Sequence, residues 1–503
     1  MNLRTNVEIL VSEIKPLLLE AIDRTARTKR LGFLWRKGAL KTLDRIFDHF
    51  TIDVDYLVKY LTVTQKKNIR RNINIASIEH RALLMTALYR TIFARIQDGS
   101  ISTTVAMKII KDRCDSDFFD RINDSKHTYL EKYDRTPPAF VLLSPTKFCN
   151  LHCVGCYASS SVATTNSMPY SMVRRIILES HELWGARSVA ISGGEPLLYE
   201  SEGKTLFDLA EEFPFMYFKV YTNGVQINDE TAKRMAELAN ISPAISLEGN
   251  EEQTDARRGK GVFKKVIKAI ERLRKLGVPI GVSITATRDN LNTLLDPSFY
   301  DYLFDDLKII YGWIFEYMPI GRGISTDLMP TPEERKKLFE VLDEQNRKHR
   351  FICDFWSTSP SAEGCIAAGR SFGYVYINWD GAVVPCVFNP YSDTNIREIY
   401  SNGGSLNDAI NQSPLLKEIR HWQDSYGFQK GNKAGNYMTP CPIRDHHKQY
   451  RAILDTTQAR PIDSEAAIAL VDPDYYDRMV KYGELLKDEL DPLWKRRFIG
   501  KHE

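Results

Sequence analysis

Short apolar runs alternate with longer amphipathic stretches through the middle of the chain. The runs Ser188 to Ile191 and Ile280 to Thr285 have the length and composition of buried strands. The stretches Met172 to Trp184 and Phe263 to Leu276 repeat apolar residues every three or four positions, which predicts amphipathic helices. Such alternation is typical of parallel α/β folds. The pattern predicts these strands: Ala139 to Leu143, Ser188 to Ile191, Tyr217 to Tyr221, Ala244 to Leu247, Ile280 to Thr285 and Trp313 to Met318.

The N-terminal part of the chain, residues 1–130, shows only the helical period, for example at Val7, Leu10 and Ile14. We expect a separate, all-helical module there. It contains a basic stretch, Arg24 to Lys37, with an aromatic cluster around Trp35. Cations around aromatic residues suit an anionic membrane surface. They also suit a solvated helix face with one buried tryptophan, which is the commoner arrangement and the one we favour.

Composition limits the class of protein. A chain of 503 residues exceeds one ordinary core, so two or three domains are expected, and 43% hydrophobic residues suits a soluble globular protein. No apolar run approaches the roughly 18 residues of a membrane span, and the first residues lack a signal-peptide core. Eight cysteines fit a reducing compartment, so we expect a cytoplasmic protein. The net charge of +3 is too small to predict nucleic-acid binding.

Three cysteines form the strongest motif, because Cys149, Cys153 and Cys156 are spaced C-x3-C-x2-C. Three thiolates can bind three irons of a [4Fe–4S] cluster and leave the fourth iron without a protein ligand. The alternative is a structural zinc, which usually needs two C-x2-C pairs. No second pair lies nearby. The spacing therefore favours the cluster.

A glycine turn, Ser192 to Pro196, follows the apolar run that ends at Ile191. The turn begins 36 residues beyond the third cysteine. Together the two motifs resemble the radical S-adenosylmethionine (SAM) superfamily. The resemblance implies that the open iron chelates SAM, and that an electron from the cluster splits the sulfonium to give a 5′-deoxyadenosyl radical. It also implies a partial (β/α)6 barrel whose strand ends face the active site.

The resemblance extends to residues around SAM. The turn would present backbone groups to the SAM amino group, and the strand ends Thr222-Asn223-Gly224 and Ser246-Leu247-Glu248-Gly249 match family positions. An arginine near the SAM carboxylate makes electrostatic sense, because a guanidinium binds a carboxylate bidentately. Many family members carry an aromatic residue at the position of Gly155, where it contacts the adenine, and here the nearest aromatic is Tyr157. The implied SAM-binding residues are Tyr157, Gly193, Gly194, Glu195, Asn223, Ser246 and Arg258.

A second set of cysteines follows the predicted barrel. Cys365 and Cys386 flank a predicted hairpin, and Cys441 comes later. This region resembles a shortened SPASM or "twitch" domain, which would hold one auxiliary [4Fe–4S] cluster. Its fourth ligand stays open between Cys353 and a site completed by water, substrate, His446 or His447. Cys114 has no partner motif and is expected to be structural.

The predicted division is a helical module at 1–130, the radical SAM barrel at 135–330, the SPASM/twitch-like domain at 350–450 and a loop and helical tail at 451–503. The resemblance implies an enzyme that cleaves SAM reductively and abstracts a hydrogen atom from an unactivated carbon. A peptide or protein maturase is the leading interpretation of the enzyme's function. Two alternatives stay open: a membrane lipid or other small molecule as substrate, and a non-catalytic redox sensor or scaffold. An electron donor such as flavodoxin or ferredoxin is the expected partner.

Overall fold

The computed structural model describes residues 74–111 and 116–500. The basic stretch around Trp35 and the cysteine at position 114 therefore lie outside the described residues. Within the predicted N-terminal module, the described part is helical, as expected. It consists of α1 (Ile75–Gln97), α2 (Thr103–Lys111) and α3 (Ser116–Tyr133). The Asn74 side chain caps α1 by accepting a hydrogen bond from the Ser77 amide at 2.9 Å.

A ten-stranded sheet runs through the described part of the chain. Its centre consists of the six predicted strands in consecutive positions, all parallel, which confirms the α/β prediction. In chain order the strands are β1 (Phe140–Leu143), β2 (Ser188–Ile191), β3 (Glu200–Ser201), β4 (Lys204–Thr205), β5 (Tyr217–Thr222), β6 (Ile241–Ser246), β7 (Gly281–Ala286), β8 (Tyr311–Glu316), β9 (Ile352–Asp354), β10 (Tyr374–Ile377), β11 (Ala382–Val384), β12 (Tyr391–Ser392), β13 (Thr394–Asn395) and β14 (Arg460–Pro461).

The sheet continues past the six predicted barrel strands on both sides. Strand β9 pairs in parallel with β8, and β10 pairs in parallel with β1, so both edges are extended by the region that follows the barrel. Strands β10 and β11 form the predicted antiparallel hairpin, with Ile377 opposite Val383. The full order is β13-β11-β10-β1-β2-β5-β6-β7-β8-β9. The four-part domain division stays a prediction.

The helices that cover the sheet follow the predicted apolar spacing. In α8 (Val262–Lys275), for example, Val266, Ile270 and Leu273 are buried because they share the face that packs on the sheet, and basic residues cluster in its last turn. The helices that follow α3 in this region are α4 (Tyr170–Trp184), α5 (Leu206–Glu212), α6 (Asp229–Leu238), α7 (Glu251–Arg258), α8 (Val262–Lys275), α9 (Leu291–Leu294), α10 (Pro297–Asp301) and α11 (Pro332–Arg347).

The C-terminal part is more helical than the predicted tail of loop and helix. Its longest helix packs against α11 through a cluster that includes Leu486, Leu490 and Phe339. Among the described residues, no helix combines the length and hydrophobicity needed to cross a bilayer. The helices are α12 (Ile396–Ser401), α13 (Leu406–Gln412), α14 (Pro414–Tyr426), α15 (His447–Thr457), α16 (Ser464–Val471) and α17 (Pro473–Trp494).

Candidate active site

The three motif cysteines line one cavity of about 370 Å³ at the C-terminal ends of the parallel strands. They lie on the loop after β1, residues 144–161, which we call the cysteine loop. Cys149 is buried, whereas Cys153 and Cys156 are partly exposed to the cavity. We call this space the barrel cavity. The structure thus brings the predicted ligands to the end of the barrel where parallel strands place their functional loops.

The loop that follows β8 holds the cysteine loop in place through Arg322. The Arg322 guanidinium donates to the backbone carbonyls of Cys153, at 2.9 Å, and Ser160, at 2.6 Å. The Arg322 amide also donates to the carbonyl of Cys156 at 3.0 Å. The approach is close, since a Cβ at Gly321 would lie 2.4 Å from that same carbonyl oxygen. Arg322 therefore holds the backbone between the second and third cysteines in place.

An aromatic ring occupies the space beside Gly155. A Cβ at this position would lie 2.6 Å from Cε2 of Tyr317, which follows the end of β8. Tyr317 lines the barrel cavity, and its hydroxyl donates to the carbonyl of Gly323 at 2.9 Å. The position beside Gly155 is thus filled by an aromatic side chain from the loop that follows β8. Sequence spacing gave no sign of this pairing.

Backbone hydrogen bonds connect the glycine turn to the cysteine loop. The amide of Gly194 donates to the carbonyl of Thr146 at 2.8 Å, and the amide of Glu195 donates to that of Phe148 at 2.8 Å. Gly193 and Gly194 both line the barrel cavity. A Cβ at Gly194 would lie 2.0 Å from the Phe148 carbonyl oxygen, so the glycine is required by the cysteine loop itself.

The Glu195 side chain does not line the cavity. It is buried, accepting hydrogen bonds from the Thr222 hydroxyl at 2.6 Å and the Asn223 amide at 2.8 Å. Asn223 does line the cavity, and its side-chain amide donates to Asn150 at 2.8 Å. Its Nδ2 also lies 3.9 Å from the sulfur of Cys149. Glu195 therefore positions the strand end that carries Asn223, and only its backbone belongs to the turn.

Two arginines share one buried carboxylate at the cavity wall. Arg257 donates to Oε1 of Glu248 at 2.6 Å, and Nε of Arg258 donates to the same oxygen at 2.7 Å. Burial opposes ionisation of Glu248, but the two guanidinium groups hold its pKa below the ordinary value. Two positive charges against one negative charge leave one net positive charge on this wall. Arg257 was missed by the sequence analysis, which selected Arg258 alone.

The remaining predicted SAM-binding residues also line the barrel cavity. The Tyr157 hydroxyl already takes part in two hydrogen bonds. It lies 2.8 Å from the Ser192 hydroxyl and accepts a hydrogen bond from the Gly193 amide at 3.1 Å. Ser246 lies at the end of β6, where it is paired in register with Ser283 of β7, another cavity residue. The structure thus brings together every predicted SAM-site residue except the side chain of Glu195. Their roles stay predictions.

Burial dominates the electrostatics of the cysteine loop. It raises the pKa of Cys149 to about 12 and also raises the pKa of Cys153. Thiolates form at such a site together with a bound cation, which releases their protons. Within the described ranges, no three His, Cys, Asp or Glu side chains converge on a point that one metal ion could occupy. A four-iron cluster binds each cysteine through a different iron and needs thiols that surround it at a distance.

The second set of cysteines also meets at one place. Cys365, Cys386 and Cys441 line an enclosed space, which we call the auxiliary cavity, although they come from three separate segments of the chain. Cys386 and Cys441 are buried, and burial raises the pKa of both thiols. The hairpin of β10 and β11 delivers Cys386, as predicted from its turn residues.

The alternatives for a fourth ligand lie elsewhere. Cys353 is on β9 and is not among the lining residues of the auxiliary cavity. His446 is bound to the Thr439 carbonyl, with Nε2 at 2.9 Å from the oxygen, and His447 is bound to the Ile443 carbonyl with Nδ1 at 2.7 Å. Neither histidine lines this space. The geometry therefore favours a site that water or substrate completes.

A polar group missed by the sequence analysis does face this space. Asn389 lines the auxiliary cavity and is 1% exposed. Its carbonyl oxygen accepts from the Tyr450 hydroxyl at 2.8 Å and from the Tyr391 amide at 3.0 Å, which fixes the orientation of the side chain. Its Nδ2 finds no acceptor in the described part of the chain. An unmet donor beside three thiols fits a group that carries sulfide acceptors.

The two cavities share a wall. Phe355, Ile366, Phe388 and Ser359 line both of them, so a single layer of mostly apolar side chains separates the two sets of cysteines. Phe388 follows Cys386 by two residues, and its ring packs against Phe315 of β8 with centroids 5.7 Å apart. Whatever binds at the second site is therefore close to the interior of the barrel.

A buried ionic network anchors Cys441 to the barrel. The Cys441 amide donates a hydrogen bond to the Asp445 carboxylate at 3.0 Å. The Arg444 guanidinium binds the same carboxylate at 2.9 Å and also binds Glu316, at the end of β8, at 2.6 Å. Arg335 of α11 binds the same two carboxylates, with its Nε 2.8 Å from Glu316. Because all four side chains are almost fully buried, each charge depends on its partners.

Comparisons with known proteins agree with this geometry. A family model described as the radical SAM superfamily matches residues 143–294. Mycofactocin maturase MftC from Mycolicibacterium smegmatis is 30% identical over 310 residues, which covers 59% of this chain and 76% of MftC. Fe-coproporphyrin III synthase from Methanosarcina barkeri is 26% identical over 236 residues, which covers 45% of this chain and 56% of that protein.

Solved structures were also compared with this chain. The crystal structure of Streptococcus suis SuiB bound to precursor peptide SuiA is 18% identical and has a TM-score of 0.48. The match covers 58% of this chain and 69% of SuiB. The sequence similarity to MftC and the family match, which spans the cysteine loop and the glycine turn, establish the relationship. The chain belongs to the radical SAM superfamily.

Proposed function

We propose that this enzyme matures a peptide or protein by abstracting a hydrogen atom from one of its unactivated carbons. One observation carries the proposal: a single cavity has three thiols, two guanidinium groups and a glycine turn at one end and an apolar interior behind them. The similarity to MftC supports the substrate class, because that relative is named a maturase. A membrane lipid has no comparable support within the described residues.

Members of the superfamily use a [4Fe–4S] cluster and SAM. When bound, the cluster supplies the electron that cleaves SAM, and SAM supplies the radical that takes the hydrogen atom. Cys149, Cys153 and Cys156 would hold the cluster, since their thiols face the same cavity from one loop. Arg322 holds that loop in position through hydrogen bonds to the carbonyls of Cys153 and Ser160. The residues present therefore fit the cofactor.

The arginine pair and the two tyrosines would orient SAM. Arg258 and Arg257 leave one net positive charge beside the cysteines, which suits the SAM carboxylate, and Glu248 keeps both side chains in place. Tyr317 provides an aromatic surface next to Gly155, and with Tyr157 it is our candidate for the adenine contact. Gly193 and Gly194 would present backbone groups to the amino group of SAM.

The interior of the cavity would exclude water from the reacting carbon. Leu142, Phe315, Phe355 and Phe388 line it, so a substrate held there lies among apolar side chains. A radical that is shielded from solvent is less exposed to side reactions. These residues define the space into which the target carbon must fit.

Cys365, Cys386 and Cys441 would hold an auxiliary cluster in a twitch-like arrangement. The fit rests on three thiols around one enclosed space and on the unmet amide donor of Asn389. Such a cluster would supply a second redox centre, and because the two cavities share a wall it would lie next to the substrate space. No cysteine beyond these three lines the auxiliary cavity among the described residues.

A second candidate function is modification of a small molecule. The similarity to Fe-coproporphyrin III synthase favours it, although that match covers a smaller part of both chains. The third alternative, a sensor or scaffold without turnover, is set aside because relatives of this chain are named a maturase and a synthase. Peptide and porphyrin substrates differ enough to be separated by one assay.

The proposal is tested with anaerobically reconstituted protein, SAM and dithionite. Synthetic peptides from short reading frames beside the gene are offered in one series, and iron porphyrins and related tetrapyrroles with carboxylated side chains, as candidate precursors of Fe-coproporphyrin III, in another. We expect 5′-deoxyadenosine and a modified peptide in equal amounts, measured by mass spectrometry. Modification of a tetrapyrrole with unaltered peptides would contradict the peptide assignment and favour the second candidate.

A further inference from the structure

Lys219 is a cation inside the barrel without an anionic partner in the described part of the chain. It lies on β5 and lines the barrel cavity together with Tyr221, two residues further along the strand. Its ammonium makes no hydrogen bond or ion pair among the described residues, and the acidic side chain beside it is the thiol of Cys353. An ammonium inside such a cavity is poorly solvated and costly without a counter-ion, so we expect it to bind an anionic ligand.

Two aromatic rings hold the ammonium in place. Nζ of Lys219 lies 4.8 Å from the ring centroid of Tyr311 and 4.6 Å from that of Trp313, both on β8. Cation–π contacts offset part of the cost of burial and fix the position of the charge. The hydroxyl of Tyr311 is already engaged, at 2.9 Å from the hydroxyl of Ser242.

The Trp313 side chain adds a second unmet donor at the same place. Its indole N–H is buried and finds no acceptor in the part of the chain that the structure describes. Trp313 also lines the barrel cavity. The ammonium of Lys219 and the indole N–H of Trp313 are therefore two unmet donors beside each other. Together they favour a negatively charged acceptor with more than one oxygen, such as a carboxylate.

Cys353 does not neutralise Lys219. Its thiol is fully buried on the edge strand β9, and burial raises the pKa of this thiol despite the neighbouring ammonium. A neutral thiol supplies no counter-charge. Burial also lowers the pKa of Lys219 to about 8, so the lysine stays largely protonated near neutral pH.

The position of Lys219 sets a distance within the cavity. It precedes Asn223, whose side chain lies beside Cys149, by four residues. At the rise of an extended strand, four residues correspond to roughly 13 Å. A group bound at Lys219 would therefore lie at the floor of the barrel, with the rest of the substrate extending towards the cysteine end.

We propose that Lys219 and the indole N–H of Trp313 bind a carboxylate of the substrate at the floor of the barrel and thereby select which carbon lies at the cysteine end. The inference rests on the proposed peptide substrate, whose carboxylates are its C-terminus and its aspartate and glutamate side chains. Lys219 is a specificity-determining residue in this account, and it acts at a distance from the SAM site.

The test compares phenylacetate with phenylacetamide, which has nearly the same shape and no charge. Binding to the reconstituted enzyme in the presence of SAM is measured by anaerobic calorimetry. We expect the wild type to prefer phenylacetate at least tenfold, and Lys219→Met to lose that preference. Lys233→Met is the matched control, because Lys233 is 74% exposed on the outer helix α6, and it should keep the preference.

An unchanged preference in Lys219→Met would overturn the proposal, as would a wild type that binds both compounds equally or neither. Lys219→Gln and Lys219→Arg guard against a folding defect, since only the arginine variant should retain a preference for the acid. Peptides with a free C-terminus and their amides are then compared. A Lys219-dependent preference for phenylacetate without any peptide modification would leave this carboxylate site standing and refute the proposed substrate class.

Discussion

At Gly194 a single methyl group has no room. A Cβ there would lie 2.0 Å from the Phe148 carbonyl oxygen and 2.6 Å from that of Lys147, and both are backbone atoms of the cysteine loop. The sequence analysis assigns to this turn only the presentation of backbone groups to the SAM amino group. The structure adds that a larger residue must displace the segment that carries Cys149. The glycine is therefore a structural requirement of the cluster site as well as of the SAM site.

We therefore predict that Gly194→Ala lowers both iron content and SAM cleavage. Overpacking of this kind typically costs about 1–3 kcal/mol, and here the loop that carries the cysteines absorbs it. Iron is measured by colorimetric assay, and cleavage by 5′-deoxyadenosine formation. Gly500→Ala is the control, because its nearest non-local atom would be at 3.4 Å. Full iron content in Gly194→Ala with weaker SAM binding would contradict the structural explanation.

Residue types with a known spacing were predictable, and residues that act across strands were not. The sequence led to Cys149 and Arg258 because their motifs are local. Tyr317 and Arg257 escaped notice, since the first acts through a glycine more than 160 positions earlier and the second shares a carboxylate with its neighbour. Lys219 did leave a signal: a lysine between two tyrosines on one face of an apolar strand.

At the scale of elements, the six barrel strands were predictable because each is a short run made mostly of apolar residues. Strand β6 begins at Ile241, three residues before the predicted start, because Ser242 is compatible with a buried strand once its hydroxyl meets that of Tyr311. The extension of the sheet by β9 and β10 was not predictable. Strand β9 pairs with β8, and β10 pairs with β1, which is far from it in sequence. Neither pairing leaves a local pattern in the sequence.

The network that joins Arg335, Glu316, Arg444 and Asp445 connects three elements, and removing one member should be costly. In Arg335→Met the two carboxylates would face only one guanidinium in a buried site, and breaking a buried pair typically costs about 3–5 kcal/mol. We expect a lower midpoint in thermal or denaturant unfolding. Arg347→Met, which removes a mostly exposed arginine and leaves the buried Asp343 paired with Arg497, should change stability by about 1 kcal/mol or less. Equal effects of the two variants would contradict the role of the network.

For the whole molecule, the relation between the two sets of cysteines is the main result that sequence could not provide. Cys365, Cys386 and Cys441 were grouped by their resemblance to a twitch domain, but their separation in the chain says nothing about the barrel. The structure places only one layer of side chains, including Phe355 and Phe388, between the two cavities. An auxiliary cluster at this place would adjoin the substrate space.

We predict that replacing Cys365, Cys386 and Cys441 by alanine lowers iron from about eight to about four atoms per chain. SAM cleavage without substrate should persist, because Cys149, Cys153 and Cys156 lie in the other cavity. Turnover of the true substrate should fail. Circular dichroism separates loss of the cluster from collapse of this region. Full iron content in the triple variant would show that these cysteines are structural and that the enzyme carries a single cluster.

The central claim is that Cys149, Cys153 and Cys156 hold the cluster at which SAM is cleaved. The most direct test is formation of 5′-deoxyadenosine from SAM by anaerobically reconstituted protein with dithionite, compared with the variant in which all three cysteines are alanine. We predict that the wild type forms 5′-deoxyadenosine and that the variant gives no more than a protein-free sample. Formation of 5′-deoxyadenosine by the triple variant at the wild-type rate would contradict the account.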